Sequence, residues 1–360
     1  MGARGGTWHG GAVVRLRRAR PPAVARLLER IECWRGIPVV VWGDFVLDEY
    51  WRCLSRRVSR EAPVLILEHQ GRTRQGGGAA NAALNLAALG AAVRAVGFVG
   101  RDPAGRELRR LLKDAGIDVR GLVEHPDGVT VVKTRIVAGS VHTALQQVVR
   151  VDRGAGFALG GAAGRGLAAA LEHAEAGALA LLISDYGYDS VTPALAAARS
   201  RRWRARGIIV GLDARYRIAE YRGATLATPN ESEAGAAAGI EVRSDADLVE
   251  VAQRLRRRLR LPHLVITRGR DGLTLWDERG GRNLEAWGGH EAVDVTGAGD
   301  AVVATATLAL ATGAAALEAA ALANVAGAVA VSRRGAVAVT SAELIGALRA
   351  AGGGTRGPRR

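Results

Sequence analysis

Asp294-Val-Thr-Gly-Ala-Gly-Asp300, continued at once by the apolar run Ala301–Thr312, decides how this chain is read. Gly297 and Gly299 build a turn, and the run behind it has the composition of a long buried helix with Asp300 in its first turn. The first backbone N–H groups of a helix lack intrahelical acceptors, and the helix dipole favours negative charge beside them. The turn therefore reads either as an anion cradle made by Gly297, Ala298 and Gly299 or as a glycine turn with Asp300 capping the helix. A carboxylate so placed can take a proton from an attacking hydroxyl. Cradle and base together are the smallest kit for phosphoryl transfer to an alcohol. A carboxylate at a helix N-terminus is also expected to stay ionised.

Outward from this stretch, Ala301–Val331 is broken at Gly313 and Glu318 and reads as two buried helices, not a membrane span. From about residue 165 the pattern alternates helix and strand, with strands expected at 178–184, 208–213, 224–228, 264–267 and 273–276. Such alternation gives a mostly parallel sheet covered by helices on both faces. Upstream, Ile37–Trp42 is a short apolar strand ending in Gly43-Asp44, and Gly76-Gly-Gly-Ala-Ala-Asn81 opens a helix that stops at Gly90. Asp102-Pro103 is an N-cap followed by proline at the first helical position. The β-rich segments at about 49–75 and 128–152 interrupt the alternation and are expected to form one small separate sheet. The expected organisation is a basic disordered tail over 1–19, one domain over 20–350 and a second disordered tail over 351–360.

The chain has 360 residues and a formal charge of +15. Of this, +6 lies in residues 1–36 (eight Arg, two Glu) and +3 in 351–360 (three Arg), which leaves +6 for the body. Basic ends without interleaved aromatics give little reason to expect nucleic-acid binding, and a mildly basic body suits an anionic substrate. Cys33 and Cys53 form neither a disulfide framework nor a metal-ligand spacing, so a reducing cytoplasm is the expected compartment. Residues 1–20 lack the continuous apolar core of a signal peptide. No G-x-x-x-x-G-K-[ST] occurs, and no G-x-G-x-x-G follows the first strand, which excludes a P-loop and argues against a dinucleotide dehydrogenase.

Several residues suit a polyol and a nucleotide. Asp44 and Asp48 stand at the end of the first strand, where each carboxylate can accept two hydroxyls. Gly76, Gly77 and Gly78 allow close approach of a ligand to the backbone, and Asn81 can bond sugar hydroxyls. Asn230-x-x-Glu233 reads either as a pair holding water on phosphate-bound Mg²⁺ or as a capping box. Thr267-Arg-Gly269-Arg-Asp-Gly272 joins two strands as a nucleotide cradle or as a simple hairpin turn.

In this order the pieces resemble the ribokinase-like (PfkB) family of sugar kinases over about residues 37–345. The carrying motifs are Gly77-Gly78-x-x-Asn81, Asn230-x-x-Glu233, Thr267-x-Gly269-x-x-Gly272 and Asp294-x-Thr296-Gly-Ala-Gly-Asp300. Within the family the chain is most similar to bacterial D-glycero-β-D-manno-heptose 7-phosphate kinases. The matching stretches are Gly43–Trp51, Ser55–Val64, Gln146–Asp152, Ser184-Asp-Tyr186 and Tyr221–Asn230. That subfamily usually carries a lysine shortly after Ser-Asp-Tyr, where this chain has Gly187-Tyr-Asp-Ser190. The resemblance implies a three-layer α/β/α sandwich with a mostly parallel sheet and a small β-sheet lid, ATP and Mg²⁺ as cofactors, and a homodimer formed through the lid. It implies Asp300 as base with Gly297, Ala298 and Gly299 as anion hole. Asp44, Asp48, Gly77, Gly78, Asn81, Gln147 and Arg150 would contact the sugar phosphate. Asn230, Glu233, Thr267, Gly269, Gly272, Asp294, Thr296 and Asn324 would serve the nucleotide, with Glu233 reaching Mg²⁺ through water. Arg57, Arg60 or Arg150 would hold a distal phosphate. Many relatives continue into a C-terminal nucleotidyltransferase domain. This chain ends soon after the kinase match, so it is expected to act at one step. Another PfkB substrate, or an idle relative that only binds, stays open.

Overall fold

The computed structural model describes residues 16–139, 145–288, 292–333 and 335–353. At its centre is strand β2 (Pro38–Gly43), whose run of apolar residues buries both faces. Val39 and Val41 point into one core and Val40 and Trp42 into a second. That two-sided burial is what a central parallel strand requires. β2 pairs in parallel with β5 (Ala92–Gly100) and β9 (Ala180–Asp185). β5 is followed outward by β6 (Asp118–His125), and β9 by β10 (Ile209–Ala214), β11 (Leu226–Ala227) and β12 (His263–Thr267), all parallel. β13 (Leu273–Asp277) and β14 (Gly280–Leu284) extend that edge as antiparallel strands.

The first core is closed by α1 (Val24–Glu32), α2 (Ala79–Ala88), α3 (Pro103–Asp114), α8 (Ala298–Ala311), α9 (Ala316–Val331) and α10 (Ser341–Gly353). The second is closed by α4 (Gly161–Ala174), α5 (Pro193–Ala205), α6 (Glu231–Ala238) and α7 (Asp245–Leu259). The result is the expected α/β/α sandwich with a mostly parallel sheet. Asp102 caps α3 by accepting from Gly105 N at 2.7 Å, with Pro103 at the first helical position.

A second sheet of four strands stands beside the first. β3 (Phe45–Val58) leaves β2 after one residue and pairs antiparallel with β4 (Leu65–Gly78), which feeds directly into α2. β7 (Val132–Gly139) joins β3 in parallel, and β8 (Gln146–Arg153) closes the order β4-β3-β7-β8. The base of β3, Phe45 to Glu49, is buried, whereas β8 is exposed along its whole length.

Three features differ from the sequence reading. β6 and β14 were not anticipated, because Asp118–His125 carries charge along its length and Gly280–Leu284 begins with two glycines. Leu16–Ala19 does not belong to a tail: Arg17 and Arg18 form β1, an edge strand parallel to β14. Backbone pairing needs no apolar side chains, so an arginine pair left no pattern to read. α10 likewise runs to Gly353, three residues into the expected C-terminal tail. The rest of both expected tails, 1–15 and 354–360, lies outside the described residues.

α8 sits close against β10, where a Cβ at Gly211 would collide with the Thr307 hydroxyl. Gly211→Ala is expected to lower the unfolding free energy by about 1–3 kcal/mol through overpacking. Adding Thr307→Ala should restore part of that loss in a double-mutant cycle followed by denaturant melts.

Candidate active site

The carboxyl ends of β2, β9 and β10 and the start of α8 converge on one place. Gly297 takes a left-handed conformation (φ 79°) and leads into α8 with no side chain capping the helix. A Cβ at Gly299 would meet nothing within 4 Å, so space lies open beside the uncapped amides. Two turns back in chain order, the Asp294 carboxylate accepts from Thr296 N (2.9 Å), Thr296 Oγ1 (2.6 Å) and Gly335 N (2.9 Å). Asp294 and Thr296 are thus engaged with each other and with the loop at Gly335, and brace the turn.

Asp300 is the third residue of α8 and is buried. Asn81 Nδ2 donates to its Oδ2 at 2.7 Å, and the Tyr186 hydroxyl donates to its Oδ1 at 3.1 Å. Burial pushes the carboxyl up to about 6, although the two donors and nearby Arg215 pull it down. Desolvation outweighs the dipole and the hydrogen bonds, so Asp300 keeps its charge above about pH 6 and is more basic than an ordinary helix-end carboxylate. What results is a carboxylate poised near neutral pH, as a general base requires.

Asn81 is buried and held within the protein. Its amide nitrogen serves Asp300, and its Oδ1 accepts from Asn85 Nδ2 at 3.3 Å. A Cβ at Gly297 would sit 2.6 Å from Asn81 Nδ2, so the glycine and the asparagine are fitted to each other. Asp44 is likewise held. Its buried carboxylate accepts three backbone N–H groups, those of Tyr186 (2.8 Å), Tyr188 (3.0 Å) and Ser190 (2.9 Å), and so ties down the loop after β9. Sequence could not reveal this, because the partners lie more than 140 residues away.

Asp48 remains in the site. It is buried beside Gly77, whose Cβ would fall 2.6 Å from Asp48 Oδ2, and it takes Arg135 Nη1 at 2.7 Å. A Cβ at Gly78 (φ 55°) would fall 2.7 Å from the backbone oxygen of Asp44, so the glycine pair packs on these acids. Arg135 in turn lies over the Tyr50 ring at 5.3 Å. Lys133, two residues earlier on β7, lies over Tyr186 (5.3 Å) and Tyr188 (5.4 Å), and burial lowers its affinity for a proton. Arg215, just past β10, lies over the same Tyr186 ring at 5.6 Å. Asp213, at the end of β10, is pushed well up by burial and by the charge of Asp300. The cluster formed by Lys133 and Arg215 on Tyr186, Arg135 on Asp48 and Asp213 near Asp300 was missed from sequence. One signal was available: Lys133 is one of two lysines in a chain with 50 basic residues.

Of the other sugar-side residues, Arg150 is opposite Arg135 in the lid but pairs with Asp152 at 2.9 Å. Gln147 does not join the cluster: it is opposite Val137, further out on an exposed strand. Arg57 lies near the outer end of β3 and Arg60 in the turn beyond it, whereas Asp48 is near the base of the strand, so neither joins the cluster. On the nucleotide side, Asn230 and Glu233 form a complete capping box on α6, with Glu233 N donating to Asn230 Oδ1 (2.8 Å) and Asn230 N to Glu233 Oε2 (3.0 Å). Thr267 is bridged to Asn230 at the same sheet end. Gly269 to Asp271 is a 3₁₀ turn between β12 and β13, open at Gly269. Gly272 (φ 86°) packs against the backbone of Leu284 to Ala286, where a Cβ would not fit. Asn324 Nδ2 donates to Glu285 O at 2.6 Å.

A family profile described as "pfkB family carbohydrate kinase" matches residues 39–343. The chain belongs to the PfkB family. It is 40% identical over 315 residues to the "Bifunctional protein HldE" of Geobacter metallireducens, which covers 87% of this chain and 63% of that one. The protein of the same name from Geobacter sulfurreducens is 40% identical over 316 residues, with the same coverage. The chain therefore spans less than two thirds of these relatives. Among solved structures, Arabidopsis thaliana ribokinase complexed with ribose and ATP superposes with a TM-score of 0.68 at 17% identity, over 87% of this chain and 99% of that one. Phosphofructokinase-2 from Escherichia coli with substrates and products gives 0.70 at 22% identity, over 88% and 99%. At these identities the two structures speak for the PfkB fold alone.

The raised pKa of Asp300 has a consequence for stability. The folded state holds this proton up to about pH 6, the unfolded chain only to about 3.8. The stabilisation is therefore fully present below 3.8 and is lost as pH rises through about 6. Asp300→Asn does not undergo that loss. Its stability relative to the parent is expected to grow between pH 4 and pH 7.5 by roughly 1–3 kcal/mol, measured by denaturant melts at both pH values.

Proposed function

We propose that this chain is an ATP-dependent sugar kinase that phosphorylates the anomeric C1 hydroxyl of D-glycero-D-manno-heptose 7-phosphate to the 1,7-bisphosphate. The observation that carries the chemistry is Asp300, a buried carboxylate with a pKa near 6 at the uncapped start of α8. The heptose assignment rests on the sugar-side stretches from Gly43 to Trp51 and from Gln146 to Asp152, and on 40% identity to the HldE proteins.

In this reading Asp48, paired to Arg135, accepts sugar hydroxyls, and Asp300 takes the proton of the attacking one. The amides of Gly297, Ala298 and Gly299 receive the charge that develops on the transferred phosphoryl group. Lys133 and Arg215 add positive charge, Lys133 toward the sugar's phosphate and Arg215 toward the γ-phosphate. Lys133, lying over Tyr188, takes the part of the lysine that the chain lacks after Ser-Asp-Tyr. ATP would lie over the open turn at Gly269 and the ends of β11 and β12, beside Thr267, Asn230 and Asn324.

Among the described residues no group of three or more His, Cys, Asp or Glu could hold a metal ion. That donor set fits Mg²⁺ carried by phosphates and water, with Glu233 in its outer sphere, since Mg²⁺ keeps several waters. When bound, the ion neutralises charge between the phosphates. The exposed Val148, Val149 and Val151 on β8, with Val64, Leu65 and Ile66 at the start of β4, support a homodimer through the lid. Among the described residues no helix is long and apolar enough to cross a membrane, and we place the enzyme in the cytoplasm, with no nucleic-acid partner.

Purified protein is expected to turn over ATP only with heptose 7-phosphate in a panel including ribose, fructose 6-phosphate and adenosine. Turnover with another acceptor would discard the heptose and keep the chemistry; turnover with none would overturn the kinase reading. Asp300→Asn should lower kcat by about 10²–10⁴-fold. Lys133→Ala should raise the KM for the sugar phosphate by roughly 10–100-fold, the worth of one hydrogen bond to a charged group, and leave the KM for ATP nearly unchanged.

A further inference from the structure

A general base must offer an oxygen to the hydroxyl it deprotonates, and Asp300 has both oxygens engaged. Asn81 holds Oδ2 at 2.7 Å, and the Tyr186 hydroxyl holds Oδ1 at 3.1 Å. The two donors differ in kind. Asn81 is fixed on α2, with its own oxygen taken by Asn85 and its amide packed against Gly297. Tyr186 sits on the loop after β9 and is held there by backbone bonds to Asp44 and by two cations over its ring, Lys133 from the lid and Arg215 from the end of β10. In the reading above, Lys133 serves the sugar's phosphate and Arg215 the γ-phosphate. A phosphate approaching from either side would attract the cation that now lies against the ring.

We propose that Tyr186 is a gate on Asp300: in the empty site its hydroxyl occupies the oxygen that would deprotonate an acceptor, and an incoming sugar hydroxyl displaces it. The inference rests on the kinase reading above. Its consequence concerns water. In the side reaction, a water oxygen forms a bond to the γ-phosphorus and the bond to the bridging oxygen of ADP breaks. The water's proton goes to Asp300, so that ATP is hydrolysed to ADP and phosphate. With Tyr186 on Oδ1, a water has no aligned base, and ATP is spared until a sugar arrives. Tyr186 is thus a positioning residue, acting through Asp300.

The groups facing Asp300 are Asn81 from α2, Tyr186 from the loop after β9, Asp213 and Arg215 from the end of β10, and Asp48 from β3. The Tyr186 hydroxyl lowers the Asp300 pKa, so its removal raises it. Tyr186→Phe keeps the ring and its cations and deletes only the donor.

The test uses the full chain. First, the parent is assayed for sugar-dependent transfer; failure there overturns the kinase reading and is separate from the gate. Next, Tyr186→Phe is assayed across pH and compared with the parent on the alkaline plateau of each profile. The ratio of sugar-independent hydrolysis to sugar phosphorylation should rise about tenfold or more, the scale of one aligned acid–base contact. The acid limb of its kinase pH profile should move to higher pH. The double variant Tyr186→Phe/Asp300→Asn should lose the added hydrolysis. An unchanged ratio in a folded Tyr186→Phe protein overturns the gate, and so does added hydrolysis that survives loss of Asp300. Should Tyr186→Phe fail to fold, Tyr186→Leu, which also deletes the donor on Asp300 Oδ1, is assayed in the same way, and an unchanged ratio in that folded protein overturns the proposal.

Discussion

The bond from the Asn81 amide to the Asp300 carboxylate, with the Tyr186 hydroxyl on the other oxygen, is the contact around which the site is built. An ionisable group in the interior loses its hydration and survives there only with donors aimed at it. Two donors and the charge of Arg215 offset part of the penalty, and the carboxyl settles near pH 6 instead of far above it. Much else follows from keeping those donors in place. Gly297 has to be glycine, both for its positive φ and because a side chain would push Asn81 aside. Asn85 holds Asn81 and also accepts from Val339 N at 3.0 Å, which ties the site to the segment before α10.

The acids of the chain divide by what surrounds them. Asp44, Asp185 and Asp294 are spent on the frame. Asp185 accepts from Gly187 N (2.9 Å), from Tyr221 Oη (2.7 Å) and from both ends of the Arg217 guanidinium (3.0 and 3.1 Å). Such charge-assisted bonds fix the loop that carries Tyr186 and Tyr188. Asp48, Asp213 and Asp300 keep fewer donors and gather near cations and open space. The same residue type therefore serves as scaffold or as chemistry, according to how many hydrogen-bond donors point at it.

The sandwich was legible because its central strands are apolar on both faces and its helices end at glycine or begin with a cap. Gly90 and Gly116 mark two helix ends, and Asp102-Pro103 marks a start. β6, β14 and β1 were not legible, since edge strands depend on backbone pairing and leave weak side-chain patterns. In the site, the glycine turn and Asp300 were found from spacing alone. Asn81 and Asp44 were found, but their partners within the protein were not. Arg135, Lys133, Asp213 and Arg215 went unseen, since an isolated charged residue on a strand looks the same whether it faces water or a substrate.

By itself the sequence determined the local devices: the DxTGxGD turn, the glycines before α2, the capping box on α6 and the order of strands and helices. These depend on backbone conformation and on neighbours within a few residues, which spacing records directly. Only the tertiary structure decided which carboxylates are satisfied and which remain available. Asp44 is closed by amides 142 to 146 residues away, and Asp300 is held by donors 114 and 219 residues away. Burial and distant donors set the charge and basicity of such groups, and neither exists until the sheet brings those segments together.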